Sequence, residues 1–254
     1  MMTMPLPALN GANARVSPFD GAASLMAARR AAGAAQVPQF HADGQANGAT
    51  GRDVSVFKDI ARTKLPIEFQ GREVLLEAHA YEDDSASYQA MAVVHRTNAI
   101  RAELPLVRMH SGCVTGDIFH SLRCDCYAQL QLSLERVVNA ATGCIIYLPH
   151  HEGRGIGLVN KIKAYAEQDR GLDTVDANLS IGAPVDARDY ELPAKILKDL
   201  GFLDIRLMTN NPLKMEALRV HGINVVEQVK TVTEPSPHNM RYLETKRERM
   251  AHRL

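Results

Sequence analysis

The chain has 254 residues, enough for one sizeable core, and its 29 Lys and Arg balance 29 Asp and Glu. With no net charge there is no global basic field of the kind that marks nucleic-acid binders, so local cation clusters must meet any anionic ligand. Four cysteines in a chain this long do not suit a disulfide scaffold, and there is no secretory core or membrane-length apolar run; a reducing cytoplasm is expected, with clustered thiols serving metal or catalysis.

Residues 1–53 are rich in Ala and Gly, poor in charge and punctuated by Pro5, Pro7, Pro18 and Pro38. Too few large apolar side chains are present to offset the entropy of ordering, which predicts a flexible extension. An organelle transit peptide fits less well, because Ser is scarce and acidic residues occur. Residues 54–254 form the second expected unit. "LPIEFQGREVLLEAHAYEDD", "SYQAMAVVHR" and "LPLVRMH" read as short strands separated by turns, an antiparallel β-rich region. "AQLQLSLERVVNA" places Leu130, Leu134, Val137 and Val138 on one helical face. Next come a buried strand in "GCIIYLP" and a helix in "GLVNKIKAYAEQDRG" closed by Gly171. Helix, strand, helix and strand follow through "YELPAKILKDLG", "DIRLMTN", "PLKMEALRVHG" and "INVVEQV", and "NMRYLETKRERMAHRL" is a charged helix or tail. This alternation predicts an α/β fold: a mixed sheet covered by helices, preceded by the smaller antiparallel region.

Three of the four cysteines, Cys113, Cys124 and Cys126, fall within "HSGCVTGDIFHSLRCDC". Thiolates are soft ligands suited to zinc, and positions i and i+2 of an extended segment face the same side. Cys144 lies inside an apolar run, where a small buried hydrophobe is expected. Three protein ligands with water in an open fourth position form the catalytic arrangement of zinc. Spacing alone also allows a closed site completed by His110 or His120, or three inert thiols.

Two other stretches suggest anion binding. In "HHEGRGIGLVNKIKAY", Glu152, Gly153 and Arg154 precede a helix whose N-terminus Gly155 and Gly157 open to close approach, as phosphate sites require, although glycine-rich turns into helices are common. In "MTNNPLKMEAL", Thr209 ends a strand and Lys214 lies in a helix's first turn, against the macrodipole; an anion would relieve that conflict, and a solvated lysine is the plain alternative. A loop carries Asp186 and Arg188, either a surface ion pair or a base beside a phosphate clamp. Sites in such folds collect at strand ends.

Taken in order and spacing, "RMHSGCVTGD", "SLRCDC", "HEGRGIGLVNKIKAYAEQD", "DTVDAN", "DARDY", "TNNPLK" and "YLETK" resemble the GTP cyclohydrolase II family, from about Lys64 to the C-terminus. The resemblance implies a hydrolase acting on a cyclic amidine at the head of riboflavin biosynthesis, a homodimer that converts GTP to 2,5-diamino-6-(5-phosphoribosylamino)pyrimidin-4(3H)-one with release of formate and diphosphate. It implies one Zn2+ on Cys113, Cys124 and Cys126, and Mg2+ with the nucleotide. Contacts to GTP would come from Arg108, Met109, His110, Ser111, Gly112, Gln129, Glu152, Gly153, Arg154, Thr174, Thr209 and Lys214. Asp186 would accept a proton, Arg188 would be the nucleophile toward the α-phosphate, and Tyr165 would donate a proton during ring opening. A guanidinium has no lone pair to spare, so its own chemistry offers a second role for Arg188, an electrostatic clamp on the departing diphosphate.

Two positions depart from the family pattern: Gly112 stands where a glutamate is usual, and Tyr127 where a glycine is usual. Loss of one charged hydrogen bond at a site costs on the order of 1.5–3 kcal/mol, enough to alter rate or substrate. Two further readings follow: a paralogue in a specialised azapteridine or related pathway that stops at the formylated pyrimidine, and a non-catalytic GTP-binding protein.

Overall fold

The structure, a computed structural model, describes residues 57–84, 88–97 and 103–249. The extension expected over residues 1–53 lies outside the described residues. Seven strands form one mixed sheet in the order β1-β2-β3-β5-β4-β6-β7. They are β1 (Phe57–Phe69), β2 (Arg72–Asp83), β3 (Gln89–Arg96), β4 (Leu106–Ser111), β5 (Thr142–Leu148), β6 (Asp204–Met208) and β7 (Asn224–Val229). Among the described residues six α-helices accompany them: α1 (Cys126–Asn139), α2 (Gly157–Asp169), α3 (Thr174–Ser180), α4 (Glu191–Asp199), α5 (Pro212–Val220) and α6 (Met240–Arg249).

Strands β1 and β2 form a hairpin across Gln70 and Gly71, both at positive φ, as a two-residue turn between right-twisted strands demands. β2, β3 and β5 pair antiparallel in succession, and β5, β4, β6 and β7 are parallel. The antiparallel strands therefore continue the same sheet as the parallel half. β3 bridges the two by taking β5 as its second neighbour.

Burial explains the layering. β4 is buried along nearly its whole length, as expected of a strand covered on both faces. Val107, Met109, Ile146 and Leu148 pack with Leu192, Ile196, Leu197 and Leu218 of α4 and α5. On the opposite face, Leu106, Ile145 and Met208 pack against Val137 and the partly buried Leu134 of α1. Alternation along the strands sorts these two sets. The chain leaves β4 through α1 toward β5, and leaves β6 through α5 toward β7. Those connections run in opposite directions and on opposite faces, so a crevice opens at the carboxyl ends of β4 and β6, where open α/β sheets bind ligands. Among the described residues, no helix is long and apolar enough to cross a membrane.

The sequence analysis assigns no element to "DTVDAN", which forms α3, its N-terminus capped by Asp173: Oδ1 accepts from the backbone N–H of Val175 and of Asp176. The expected helix closed by Gly171 is found as α2, with Gly171 at φ 107° and the N–H of Leu172 returning to Glu167 O.

Candidate active site

The loops that follow β4, β5 and β6 meet at the crevice and line a cleft. β4 supplies Arg108, His110 and Ser111, and Gly112 follows at its end. Beyond β5 stand Gly153 and Arg154, and beyond β6 Thr209, with Lys214 on α5. Gln129 of α1, Tyr165 of α2, Thr174 of α3 and Arg188 complete the expected residues on its wall.

At one end the sulfurs of Cys113, Cys124 and Cys126 lie within 4.8 Å of one another. The local fold differs from the extended segment expected: Cys113 caps a π-turn over Val114–Ile118, Cys124 sits in a bend, and Cys126 is the first residue of α1. Convergence comes from a loop closing onto a helix N-terminus rather than from strand alternation. Cys113 Sγ accepts from Gly116 N at 3.3 Å and from Lys161 Nζ at 3.0 Å. Hydrogen bonds from Cys124 and Cys126, and then from Lys161, hold the Cys113 thiol far below its usual range. Cys126 is pushed up by its hydrogen bonds with Cys113 and Cys124 and by burial. Three soft donors this close could hold a metal ion. Among the described residues no imidazole joins the trio: His110 Nε2 lies 3.1 Å from both carboxylate oxygens of Asp117, which also accepts from Cys113 N at 3.0 Å and from Tyr147 OH at 3.1 Å.

The cleft wall also carries five cations, Arg108, Arg154, Lys161, Arg188 and Lys214. Both terminal nitrogens of Arg154 and Nε of Arg108 are buried with no hydrogen-bond partner among the described residues, which points to an absent acceptor. Arg108 also donates to Met208 O at 3.1 Å and to Gln129 Oε1. Lys214 is buried and donates to Met109 O at 3.0 Å, so it faces the cleft from a fixed seat. Asp186 takes one edge of the Arg188 guanidinium, from Nε at 2.9 Å and NH2 at 2.5 Å. Burial would raise Asp186, but the hydrogen bonds and charge of Arg188 outweigh it and hold the carboxyl below its usual range. Burial would likewise lower Arg188, and Asp186 keeps it raised. Gly155 is needed for this loop: at φ 86°, a Cβ there would stand 2.9 Å from the carbonyl carbon of Ala187. Its role is to let the 186–189 loop approach, with Ala187 N donating to Arg154 O at 2.9 Å.

Three expected residues stand off the wall. Met109 is buried in the core and offers the site only its carbonyl. Glu152 is buried and receives Lys161 Nζ at 2.5 Å and Val114 N at 2.7 Å, bracing the cysteine loop. Asp186 reaches the cleft through Arg188.

The sequence profile of GTP cyclohydrolase II matches residues 58–230. The chain belongs to the GTP cyclohydrolase II family. GTP cyclohydrolase-2 of Streptomyces coelicolor is 47% identical over 210 residues, covering 82% of this chain and 92% of that protein. Riboflavin biosynthesis protein RibBA of Salinispora arenicola is 45% identical over 195 residues, covering 77% and 45%, and that of Aquifex aeolicus is 51% identical over 147 residues, covering 58% and 36%. The chain thus spans most of the first relative and under half of the two RibBA proteins.

In this member of the GTP cyclohydrolase II family, the wall also holds residues with no expected role, among them Lys161, His151 and Tyr242. Lys161 was legible only as one more helix cation. His151 sat in a run read for its glycines. Tyr242, in the quoted "YLETK", comes from α6, and Arg154 lies 6.0 Å over its ring. Gly112 leaves no void for a side chain: a Cβ there would meet Leu148 O at 3.0 Å, Pro149 Cα at 3.1 Å and Tyr147 OH at 3.3 Å. Tyr127 stacks obliquely on His120, ring centroids 3.9 Å apart, which turns both rings to each other.

Proposed function

We propose that this protein hydrolyses GTP to 2,5-diamino-6-(5-phosphoribosylamino)pyrimidin-4(3H)-one, formate and diphosphate, the opening step of riboflavin biosynthesis. The observation that carries this reading is three convergent sulfurs in a cleft whose wall also carries Arg108, Arg154, Arg188 and Lys214. Two waters account for opening the imidazole ring and expelling C8 as formate, and a third replaces diphosphate on the α-phosphorus. Cys113, Cys124 and Cys126 would hold Zn2+, which supplies a Lewis acid at the guanine edge when bound.

The chain's own groups divide the remaining work. Arg154 and Arg108, with buried N–H groups awaiting acceptors, would take phosphate oxygens together with Lys214 and the Mg2+ that accompanies the nucleotide. Gln129, Thr174 and Thr209 would add neutral contacts, and Ser111, Gly112 and Gly153 would shape the wall. Burial pushes Tyr165 up to about 12 despite the nearby charge of Lys161, so its phenol keeps its proton at neutral pH. It would donate that proton during ring opening. Asp186, held ionised by Arg188, would accept a proton. The raised Arg188 has no lone pair to attack with, which favours a clamp on the departing diphosphate over a nucleophile. The protein would act as a cytoplasmic homodimer, with residues 54–254 as its catalytic unit.

The test is incubation of zinc-loaded protein with GTP and Mg2+, following formate, diphosphate and the pyrimidine separately. All three products are expected in equal amounts. Gly112, which removes a carboxylate beside the cysteines, favours one second reading, a paralogue that stops at the formylated pyrimidine. Diphosphate without formate would support it. Neither product, with GTP retained, would leave a GTP-binding protein.

A further inference from the structure

His151 lies on the short 3-10 turn after β5 and is buried at 1% exposure. Its Nε2 is 2.9 Å from the backbone oxygen of Asp189, and its Nδ1 is 3.3 Å from Ser111 Oγ. Ser111 Oγ is in turn 3.3 Å from Arg188 NH1. The directions of these bonds follow from one fact: a carbonyl oxygen can only accept. Nε2 must therefore carry the proton. Burial, then His150, Lys214 and Arg188, keep the ring neutral, so Nδ1 is a bare acceptor and takes the Ser111 hydroxyl. A serine hydroxyl that donates its O–H in this way turns its lone pairs toward Arg188. The chain then reads Arg188 N–H to Ser111 Oγ, Ser111 O–H to His151 Nδ1, and His151 Nε2–H to the oxygen of Asp189. It returns to the residue beside the one it started from.

We propose that His151 is a positioning residue that fixes the plane of the Arg188 guanidinium by orienting Ser111 and tying down the 186–189 loop. The inference rests on the proposed role of Arg188 as a clamp on the departing diphosphate. Asp186 alone grips one edge of the guanidinium and leaves rotation of the pair about the loop open. Ser111 holds the remaining terminal nitrogen, and donation of its O–H to His151 Nδ1 fixes the direction in which its lone pairs face. With those three contacts made, one N–H on each terminal nitrogen is left for phosphate oxygens, out of the five a guanidinium carries. A misplaced guanidinium binds the nucleotide but stabilises the departing charge poorly, so the loss should fall on kcat.

Two variants of the full-length zinc-loaded protein separate this role from a structural one. His151→Phe keeps the ring and removes both nitrogens. His151→Gln keeps the polarity, an amide N–H for Asp189 and an amide oxygen for Ser111. Diphosphate release by His151→Phe is expected to slow about tenfold with KM for GTP changed less than threefold, and His151→Gln should recover most of that rate. Unchanged turnover in His151→Phe, or equal impairment of both variants, overturns the proposal. Nitrogen-15 NMR of the wild-type protein without nucleotide tests it independently of turnover. The His151 ring should show the Nε2–H tautomer, and the Arg188 Nε–H signal should be protected in wild type and His151→Gln but not in His151→Phe. An Nδ1–H tautomer, or Arg188 signals alike in all three proteins, sinks the relay. If the NMR results hold while wild type leaves GTP intact, the hydrolase reading fails and the relay stands.

Discussion

Lys161 Nζ lies 3.0 Å from the sulfur of Cys113 and 2.5 Å from Glu152 Oε1, so a single buried ammonium joins the cysteine trio to the glycine-rich turn after β5. Both members of the ion pair are less than a tenth exposed. Burial opposes the charge on Lys161, but the hydrogen bonds with Cys113 and Glu152 raise it. Removing one partner strands the other in a dry setting, which costs about 3–5 kcal/mol where it has been measured. Lys161→Met should therefore lower the unfolding free energy by roughly 3 kcal/mol, read from urea midpoints. A variant as stable as wild type would mean that water reaches Glu152.

The cysteines themselves give a sharper readout. Cys126 begins α1, with its sulfur inside the trio and its position fixed by the helix. Cys126→Ser should weaken metal binding more than 100-fold, beyond what loss of a supporting group outside the ligand set costs, and formate production should fall with it. Competition with a calibrated chelator measures the affinity. Wild-type affinity in the serine variant would show that the ion is held by other groups.

Gly112 marks the limit of what could be read from sequence. Its departure from the family glutamate was visible as a missing carboxylate. The packing that accompanies it was not: backbone atoms of Leu148 and Pro149 and the hydroxyl of Tyr147 crowd the position where a Cβ would be. Backbone cannot swing away as a long side chain can. Gly112→Ala is expected to lower stability by about 1–3 kcal/mol through overpacking, and Gly112→Glu should be no faster than wild type. A faster Gly112→Glu enzyme would show that the loop after β5 yields easily.

Local periodicity made most elements legible: the apolar stripe of α1, the buried run of β5, and α2 ending near Gly171. The order of strands in the sheet was not, because β3 pairs with β5 across an interval of some fifty residues, and nothing local in "SYQAMAVVHR" says so. The short α3 escaped because one aspartate cap and seven residues give almost no periodic signal. At the site, residues whose types carry chemistry, the cysteines and arginines, could be named in advance. Supporting residues could not. His151 and Lys161 matter through partners forty or more residues away, Ser111 and Cys113, and sequence spacing does not encode such contacts.

Arg188→Lys distinguishes a clamp from a nucleophile. A lysine keeps the charge but not the two-point grip by Asp186. As a clamp, the variant should retain activity lowered by about 10- to 100-fold, while Arg188→Ala should lose more than 100-fold. Steady-state diphosphate release measures both. A covalent phosphoryl adduct trapped on Arg188 in wild type would overturn the clamp.

Acid should destabilise the fold through His151. Burial first, then His150, Lys214 and Arg188, push its folded pKa down to about 2, against about 6.5 for an unfolded histidine. The folded value is the lower one. The stability is therefore fully present above about pH 6.5 and is lost as pH falls, because the unfolded chain takes up a proton that the folded chain refuses. At about 1.4 kcal/mol per pH unit, moving from pH 7.5 to pH 5 should remove about 2 kcal/mol. His110, also pushed down by burial, adds to the loss in the same direction. His151→Gln cannot titrate, so its stability should fall less over that interval by the His151 share, while contributions from the cysteines and His110 remain common to both proteins. Urea unfolding of the two proteins side by side at both pH values isolates the difference. Parallel losses in the two would mean that His151 picks up its proton in the folded state after all, and the fixed tautomer would go with it.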